Sequence, residues 1–395
     1  MSKKSKKPLV PKLRFPEFRD AGEWEVDDLG SLFENRRETG FLTLSLMSLT
    51  DQDGIIPQKD TKKKNNSNPD KSKYLRICPG DIAYNTMRMW QGRCAYVDVE
   101  GIVSPAYTIC KPNKDVNGLF FSYYFKTFNM IKKFRANSQG LVNDTLSLKY
   151  DAFSKIFISY PSFSEQQKIA DCLTSLDELI AAEVDKLEAY KSHKKGLLQK
   201  LFPAEGKTVP EWRFPEFRDT GEWAEKKLSK LLKYERPDKF IVSNTNYIDK
   251  GVPVLTANKS FILGYTNEKH GIYKDTPVII FDDFTVDNKY VDFPFKVKSS
   301  AIKILKQKDS SNLKFIFELI GTIKFAPKEH KRYYISVYQN QIVRVPLSNE
   351  QQKIANCLTS LDELIAAQTK KIEELKKYKK GLMQGLFPSP DEVRV

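Results

Sequence analysis

Several stretches of the chain carry side chains that could handle a polyanion. Lys62, Lys63 and Lys64, followed by Asn65 and Asn66, form a cationic loop suited to phosphate oxygens. The run Asn85-Thr86-Met87-Arg88-Met89-Trp90-Gln91-Gly92-Arg93 places forked guanidinium and amide donors close together, the groups that read base edges. Arg135, Asn137, Ser138, Gln139 and Asn143 offer the same chemistry after an aromatic-rich segment. In the second half the candidates are Thr256, Asn258, Lys259 and Ser260, then Lys289, then Lys331-Arg332-Tyr333-Tyr334 with Gln339-Asn340-Gln341. Asp282-Asp283 could accept from a cytosine amino group, but the pair reads better as a turn. Any one of these residues also suits an ordinary polar loop. Only the Asn85–Arg93 cluster is dense enough in planar donors to favour contact.

Signatures of catalysis are missing by comparison. There is no G-x-x-x-x-G-K-[ST] phosphate loop and no Asn/Asp-Pro-Pro-aromatic methyltransferase motif. Asn68-Pro69-Asp70 reads as a turn, and the Pro-Asp pairs at 69–70 and 237–238 are chance-level as nuclease signals. The three histidines, His193, His270 and His330, stand at no metal-ligand spacing to another His or Cys. Five scattered cysteines with no C-x-x-C point to a reducing, intracellular setting. No apolar run is long enough for a membrane helix, and the basic start leads into Pro8-Leu9-Val10-Pro11 rather than a signal peptide core, so a cytoplasmic location is expected. With 65 Lys and Arg against 50 Asp and Glu, the chain carries +15, which favours nucleic acid as partner.

The elements that must position these residues are written twice. Arg14 to Trp24 (RFPEFRDAGEW) returns as Arg213 to Trp223 with a single change, Ala21 to Thr220. Glu165 to Ala182 (EQQKIADCLTSLDELIAA) returns as Glu350 to Ala367 with a single change, Asp171 to Asn356. Between these repeats lie segments of no obvious mutual similarity, about 33–160 and 232–345. Drift after duplication would blur frame and insert alike, whereas here the frame is nearly identical and the inserts differ.

Each second repeat opens a long helix. Ser164 and Asn349 suit an N-cap, and Gln167 and Gln352 three positions on complete a capping-box pattern. No proline follows until Pro203 and Pro388, so each helix spans about 37 residues and roughly 55 Å. Ile169, Leu173, Leu176, Ile180, Leu187, Tyr190, Leu197 and Leu201 form a heptad seam broken at Glu183 and Lys194. Ile354, Leu358, Leu361, Ile365, Ile372, Leu375, Leu382 and Leu386 repeat it, broken at Gln368 and Lys379. Both helices start acidic (Asp177, Glu178; Asp362, Glu363) and end in lysines, which favours an antiparallel coiled coil. Residues 164–203 carry net −1 and residues 349–388 net +2, so the excess positive charge lies outside the helices.

Within the first insert, Ile82-Ala83-Tyr84, Cys94 to Val97 and Ala106 to Ile109 read as strands and Gly118 to Phe134 as one aromatic helix. Within the second, Val278 to Phe281 and Ser300 to Ile304 read as strands and Leu313 to Ile323 as a helix.

At this point the chain resembles the specificity subunits of type I restriction–modification systems. The resemblance rests on Pro161…Glu165-Gln166-Gln167-Lys168-Ile169-Ala170, on its second copy Pro346…Glu350-Gln351-Gln352-Lys353-Ile354-Ala355, and on Pro79-Gly80-Asp81-Ile82 leading into a strand. Lys274-Asp275-Thr276-Pro277 holds the matching place in the second insert in degenerate form. The resemblance implies an α+β architecture with a pseudo-two-fold repeat. Two globular mixed α/β target-recognition domains would be joined and separated by two long helices forming an antiparallel coiled coil. The expected division is 1–32, a tail and first frame segment; 33–160, the first recognition domain; 161–203, the first long helix; 204–231, the second frame segment; 232–345, the second recognition domain; and 346–395, the second long helix. It further implies double-stranded DNA as ligand, read as an asymmetric bipartite site. Two modification (methyltransferase) subunits and restriction subunits are the implied partners. No cofactor is expected on this chain; S-adenosylmethionine, ATP and Mg2+ are expected on those partners. Two rival readings remain open: a self-sufficient DNA methyltransferase or nuclease, and a coiled-coil scaffold whose charge is incidental.

Overall fold

Helix propensity without an interrupting proline gives two helices of 39 residues, Phe163–Leu201 and Ser348–Leu386, in the computed structural model. The structure describes residues 10–50, 54–61, 67–257, 260–308, 310–325, 327 and 331–388. The chain divides into two units, 1–183 with 371–395, and 184–370. Each unit therefore contains the start of one long helix and the end of the other.

In the first unit the two helix segments run antiparallel, with Glu183 on Lys371 at 2.5 Å and Asp177 on Lys379. In the second unit Lys194 meets Asp362 at 2.6 Å. Asp177–Lys379 and Lys194–Asp362 are the same ion pair formed twice by repeated residues. The polar breaks in the heptads at Glu183, Lys194 and Lys379 thus carry cross-helix pairs, as an antiparallel seam requires. The seam side chains Ile169, Leu173, Leu176, Ile180 and Leu187 are buried, as are Ile354, Leu358, Leu361 and Ile372.

The capping box expected at Ser164 and Asn349 does not form, because the helices begin one residue earlier, at Phe163 and Ser348. Gln167 and Gln352 instead serve the inserts. Gln167 Oε1 accepts from Asn117 Nδ2 at 2.7 Å, and Gln352 Oε1 from Asn312 Nδ2 at 2.8 Å. Gln166 and Gln351 Oε1 accept the backbone N–H of the same two asparagines. Asn117 and Asn312 are also N-caps, of the helices Gly118–Tyr124 and Leu313–Thr322. One clamp therefore seats an insert helix on the frame in both units.

The rest of the frame is equally duplicated. The Arg14 guanidinium grips Glu165 with two nitrogens at 2.9 and 2.7 Å, and Arg213 grips Glu350 at 2.7 and 2.6 Å; both carboxylates are buried. Leu13 N–H donates to Gly385 O and Trp212 N–H to Lys200 O, each at 2.9 Å. Phe387, beyond the second long helix, stacks on Tyr124 in the first unit, and Phe202, beyond the first, stacks on Phe315 in the second. Trp24 and Trp223 complete these aromatic cores against Phe120 and Phe315.

The inserts, unlike in sequence, share one sheet. In the first it is antiparallel in the order Phe33–Asn35, Tyr107–Pro112, Ile82–Asn85, Cys94–Tyr96. The second repeats the order with Leu232–Glu235, Ile302–Gln307, Val278–Asp282, Asn288–Val291. A two-stranded ribbon closes each insert, Glu25–Asp28 with Phe157–Tyr160 and Ala224–Lys227 with Ile342–Val345. The single helix expected over Gly118 to Phe134 is two, Gly118–Tyr124 and Phe128–Asn137, parted at Phe125–Thr127. Phe125 turns into the core there, packing against Phe134 and Phe153.

Candidate nucleic-acid interface

In each insert the central strand ends in a side chain that shapes the following turn. Asn85 Oδ1 accepts Met87 N–H at 3.0 Å; Asp282 Oδ1 accepts Phe284 and Thr285 N–H at 2.9 and 3.0 Å. Such a turn stiffens the loop that follows. Asp282 therefore acts as the turn residue expected of it, and Asn85 does the same, so its oxygen is committed to the backbone rather than to a base. Asp283 is buried against Lys303 at 3.1 Å, and its Oδ1 accepts Tyr334 N–H at 2.8 Å.

Beyond the turn in the first unit, two clusters that lie some forty residues apart in sequence come together. Trp90 donates its indole N–H to Met87 O at 3.0 Å, which fixes the ring, and the Arg135 guanidinium lies over that ring at 5.4 Å. Arg135 Nη2 also donates to Asn143 Oδ1 at 3.1 Å. A guanidinium held between an aromatic face and an amide is pre-organised, so little freedom is lost when it meets an acceptor. Gln91, Arg93 and Gln139 are exposed beside it and Arg88 is half-buried. Thr86 and Ser138 donate their hydroxyls to Ala106 O and Phe134 O, at 3.0 and 2.8 Å. Those two hydroxyls hold backbone, which leaves the exposed arginines and glutamines as the outward-facing donors.

In the second unit Lys331, Arg332 and Asn340 are exposed, Lys289 and Gln339 are half-buried, and Ser260 is exposed. Arg332 lies over the Phe284 ring at 6.0 Å, beside the turn made by Asp282. Two expected readers are corrected here. Tyr333 is buried against Phe325 at 5.3 Å, and Thr256 is buried at the end of strand Val252–Leu255. The Tyr333 and Tyr334 backbone is pinned by Asp283, which turns both rings into the core. Lys62, Lys63, Lys64, Asn65 and Asn66, and likewise Asn258 and Lys259, lie outside the described residues.

At the start of the strand Ile82–Asn85, Asp81 is buried and its carboxylate accepts Cys78 N–H at 2.9 Å and Arg36 Nε at 2.8 Å. Burial pushes the Asp81 carboxyl up, against the pull of Arg36. The Pro79-Gly80-Asp81 motif thus fixes the turn that enters this strand.

Sequence reasoning missed Asn117 and Asn312. The signal was available: an asparagine precedes an aromatic-rich helix in both inserts.

A second surface is common to both units. Lys168 meets Glu17 at 3.1 Å and Lys353 meets Glu216 at 3.3 Å. Gln167 donates to Asp171, and Gln352 to Asn356, each at 2.7 Å. Further along the same helices Leu179 and Leu364, also repeated residues, are both exposed. The frame of each unit therefore presents the same partly apolar face, whatever insert it carries.

Residues 21–189 match the type I restriction modification DNA specificity domain. Over that region the chain is similar to the type I restriction–modification specificity family. Over 133 residues, 32% of this chain and 33% of the relative, it is 47% identical to the specificity subunit of the type I restriction enzyme EcoR124I/EcoR124II of Escherichia coli. It is 24% identical over 82% of its length to the type I restriction enzyme MjaVIII specificity subunit of Methanocaldococcus jannaschii, of which 83% is covered. Its fold matches that of the type I restriction–modification S subunit from M. genitalium, with TM-score 0.64, 14% identity, and 96% and 100% of the two chains covered. Among its described residues no helix is long and apolar enough to cross a membrane.

Proposed function

We propose that the chain reads an asymmetric, bipartite DNA site, one half per insert, and docks two copies of a modification subunit on its duplicated frame. The observation that carries this reading is the pairing of sameness and difference. The clamp, the buried arginine–carboxylate pair and the cross-helix ion pair occur twice with the same residues, while the outward-facing donors of the inserts do not correspond. Two equivalent faces suit two copies of one partner, and two unlike donor sets suit two unlike half-sites.

On this reading Arg88, Gln91, Arg93, Arg135 and Gln139 face the first half-site, and Lys289, Lys331, Arg332, Gln339 and Asn340 the second. Lysines position the duplex through its phosphates, and arginines and amides discriminate base edges. The paired long helices set the gap between the half-sites. The frame face with Leu179 and Leu364 receives the modification subunits, and restriction subunits join them. This chain does no chemistry of its own. S-adenosylmethionine, ATP and Mg2+ belong to the partners, and the complex works in the cytoplasm.

The test is a genome-wide N6-methyladenine map of a host without such a system, expressing this chain with its cognate modification subunit. One split motif with a fixed gap, lost when the chain is omitted, is expected. Exchanging residues 33–160 for those of a relative changes one half of that motif and leaves the other. No new methylation from an active modification subunit would overturn the reading and favour a scaffold role.

A further inference from the structure

The loop that follows helix Phe128–Asn137 is closed at its base like a hairpin. Gln139 N–H donates to Ser147 O at 2.9 Å and Ser147 N–H to Gln139 O at 2.8 Å. Gly140 sits at φ +150°, and a Cβ there would lie 2.6 Å from the Thr145 carbonyl carbon and oxygen, so only glycine lets the two sides approach so closely. Inside the loop Thr145 N–H donates to Val142 O at 2.9 Å, and Val142 N–H to Thr145 Oγ1 at 3.2 Å. Asn143 is tied by Arg135, which lies over Trp90. Leu148 N–H donates to Thr86 O at 2.9 Å, fastening the loop to the turn after the central strand.

This braced loop presents two adjacent branched apolar side chains to solvent. Leu141 is fully exposed and Val142 is 62% exposed. Isolated exposed leucines are common and need no explanation. Here the exposure is held in place by hydrogen bonds on both sides, next to a guanidinium fixed between an aromatic ring and an amide. A partner that suits cation and apolar tip together is anionic outside and apolar within. A DNA duplex has that construction: phosphates flank a stack of bases, and an apolar side chain inserted at one step unstacks it and bends the helix.

Resting on the reading that the first insert binds DNA, we infer that Leu141, backed by Val142, is a wedge that enters a base step in or beside the first half-site. Arg135 holds the adjoining phosphate or base edge. Sequence preference at that step then comes from how readily it unstacks, with pyrimidine–purine steps favoured, and adds to the base contacts made by Gln91, Arg93 and Gln139.

The test uses this chain assembled with its modification subunit, and duplexes carrying the motif found by methylation mapping. 2-Aminopurine is placed at one position at a time through the half-site that changes when residues 33–160 are exchanged. Fluorescence is expected to rise on binding at one position distinct from the methylated adenine. In L141A that rise is lost and affinity falls severalfold, while thermal unfolding stays unchanged because the side chain packs on nothing. L141F restores the rise. A rise that survives L141A, or a bound complex with no response apart from the methylated adenine, overturns the wedge and leaves the recognition role standing. Failure to bind any duplex overturns both. Weakened assembly with the modification subunit in L141A would make the tip a protein contact and also overturn the proposal.

Discussion

Arg213 and Glu350 illustrate how much of this molecule rests on single buried pairs. The Glu350 carboxylate is removed from water, and both its oxygens are held by one guanidinium. Removing one partner leaves the other charge buried and unpaired, which costs about 3–5 kcal/mol. Arg213→Met is therefore expected to lower the unfolding free energy of the second unit by that amount, read from denaturant unfolding, and Arg14→Met to do the same in the first. Replacing both members, as in Arg213→Met with Glu350→Leu, recovers most of the loss; a double variant no better than the single would rule out the unpaired charge as the cause. Single residues also show how polar side chains divide between scaffold and surface. Asn85 looks like a reader by type, yet its oxygen accepts a backbone N–H group, as that of Asp282 does at the turn expected there.

Within the elements, Asn117 and Asn312 join an N-cap to a clamp. Asn312 Oδ1 accepts Phe315 N–H at 2.8 Å while its Nδ2 donates to Gln352. Asn312→Ala removes both and is expected to cost about 1–2 kcal/mol, read as a lower thermal midpoint. Asn312→Asp, which keeps the cap but not the amide donor, separates the two contributions. The ion pairs of the long helices make a pH prediction. Burial alone would raise the Asp362 carboxyl, but Lys194 and Lys314 outweigh it and hold it below its ordinary value. A carboxyl whose folded value is depressed adds stability above its unfolded value, and loses it as pH falls through the folded one. Unfolding curves should therefore show a steeper decline below about pH 5 in the native chain than in Asp362→Asn. Equal acid sensitivity in the two would exclude Asp362 as a contributor.

For the whole molecule the charge distribution matters more than any one contact. Nearly all of the +15 lies outside the long helices. Binding to duplex DNA should weaken steeply with salt, with log K falling about 0.9 per phosphate contact for each unit of log salt. Replacing Lys331 by Ala should lower that slope by about one and weaken all sequences alike, whereas Arg93→Ala should cost about 1–3 kcal/mol and relax one position of the motif. A Lys331 variant with an unchanged slope would remove that lysine from the phosphate contacts.

The duplicated frame, the heptads and the antiparallel charge pattern are legible in the sequence because they are local and periodic. Ile354, Leu358 and Leu361 announce a buried stripe whatever they pack against, and the acidic start and basic end of each helix determine its pairing direction. The sheet common to both inserts is not legible, since strands of three to six residues pair across long separations. Asn35 faces Cys110 and Glu235 faces Ile304 through backbone bonds that leave no side-chain signature. The candidate interface divides the same way. Residue types marked the Asn85–Arg93 and Arg135–Asn143 stretches, but tertiary structure alone brought Arg135 over Trp90, turned Tyr333 into the core and assigned Asn85 to a turn. Chemistry is a property of the residue and can be read along the chain. Whether a donor is exposed or already satisfied depends on partners distant in sequence, which only the folded chain brings within hydrogen-bonding distance.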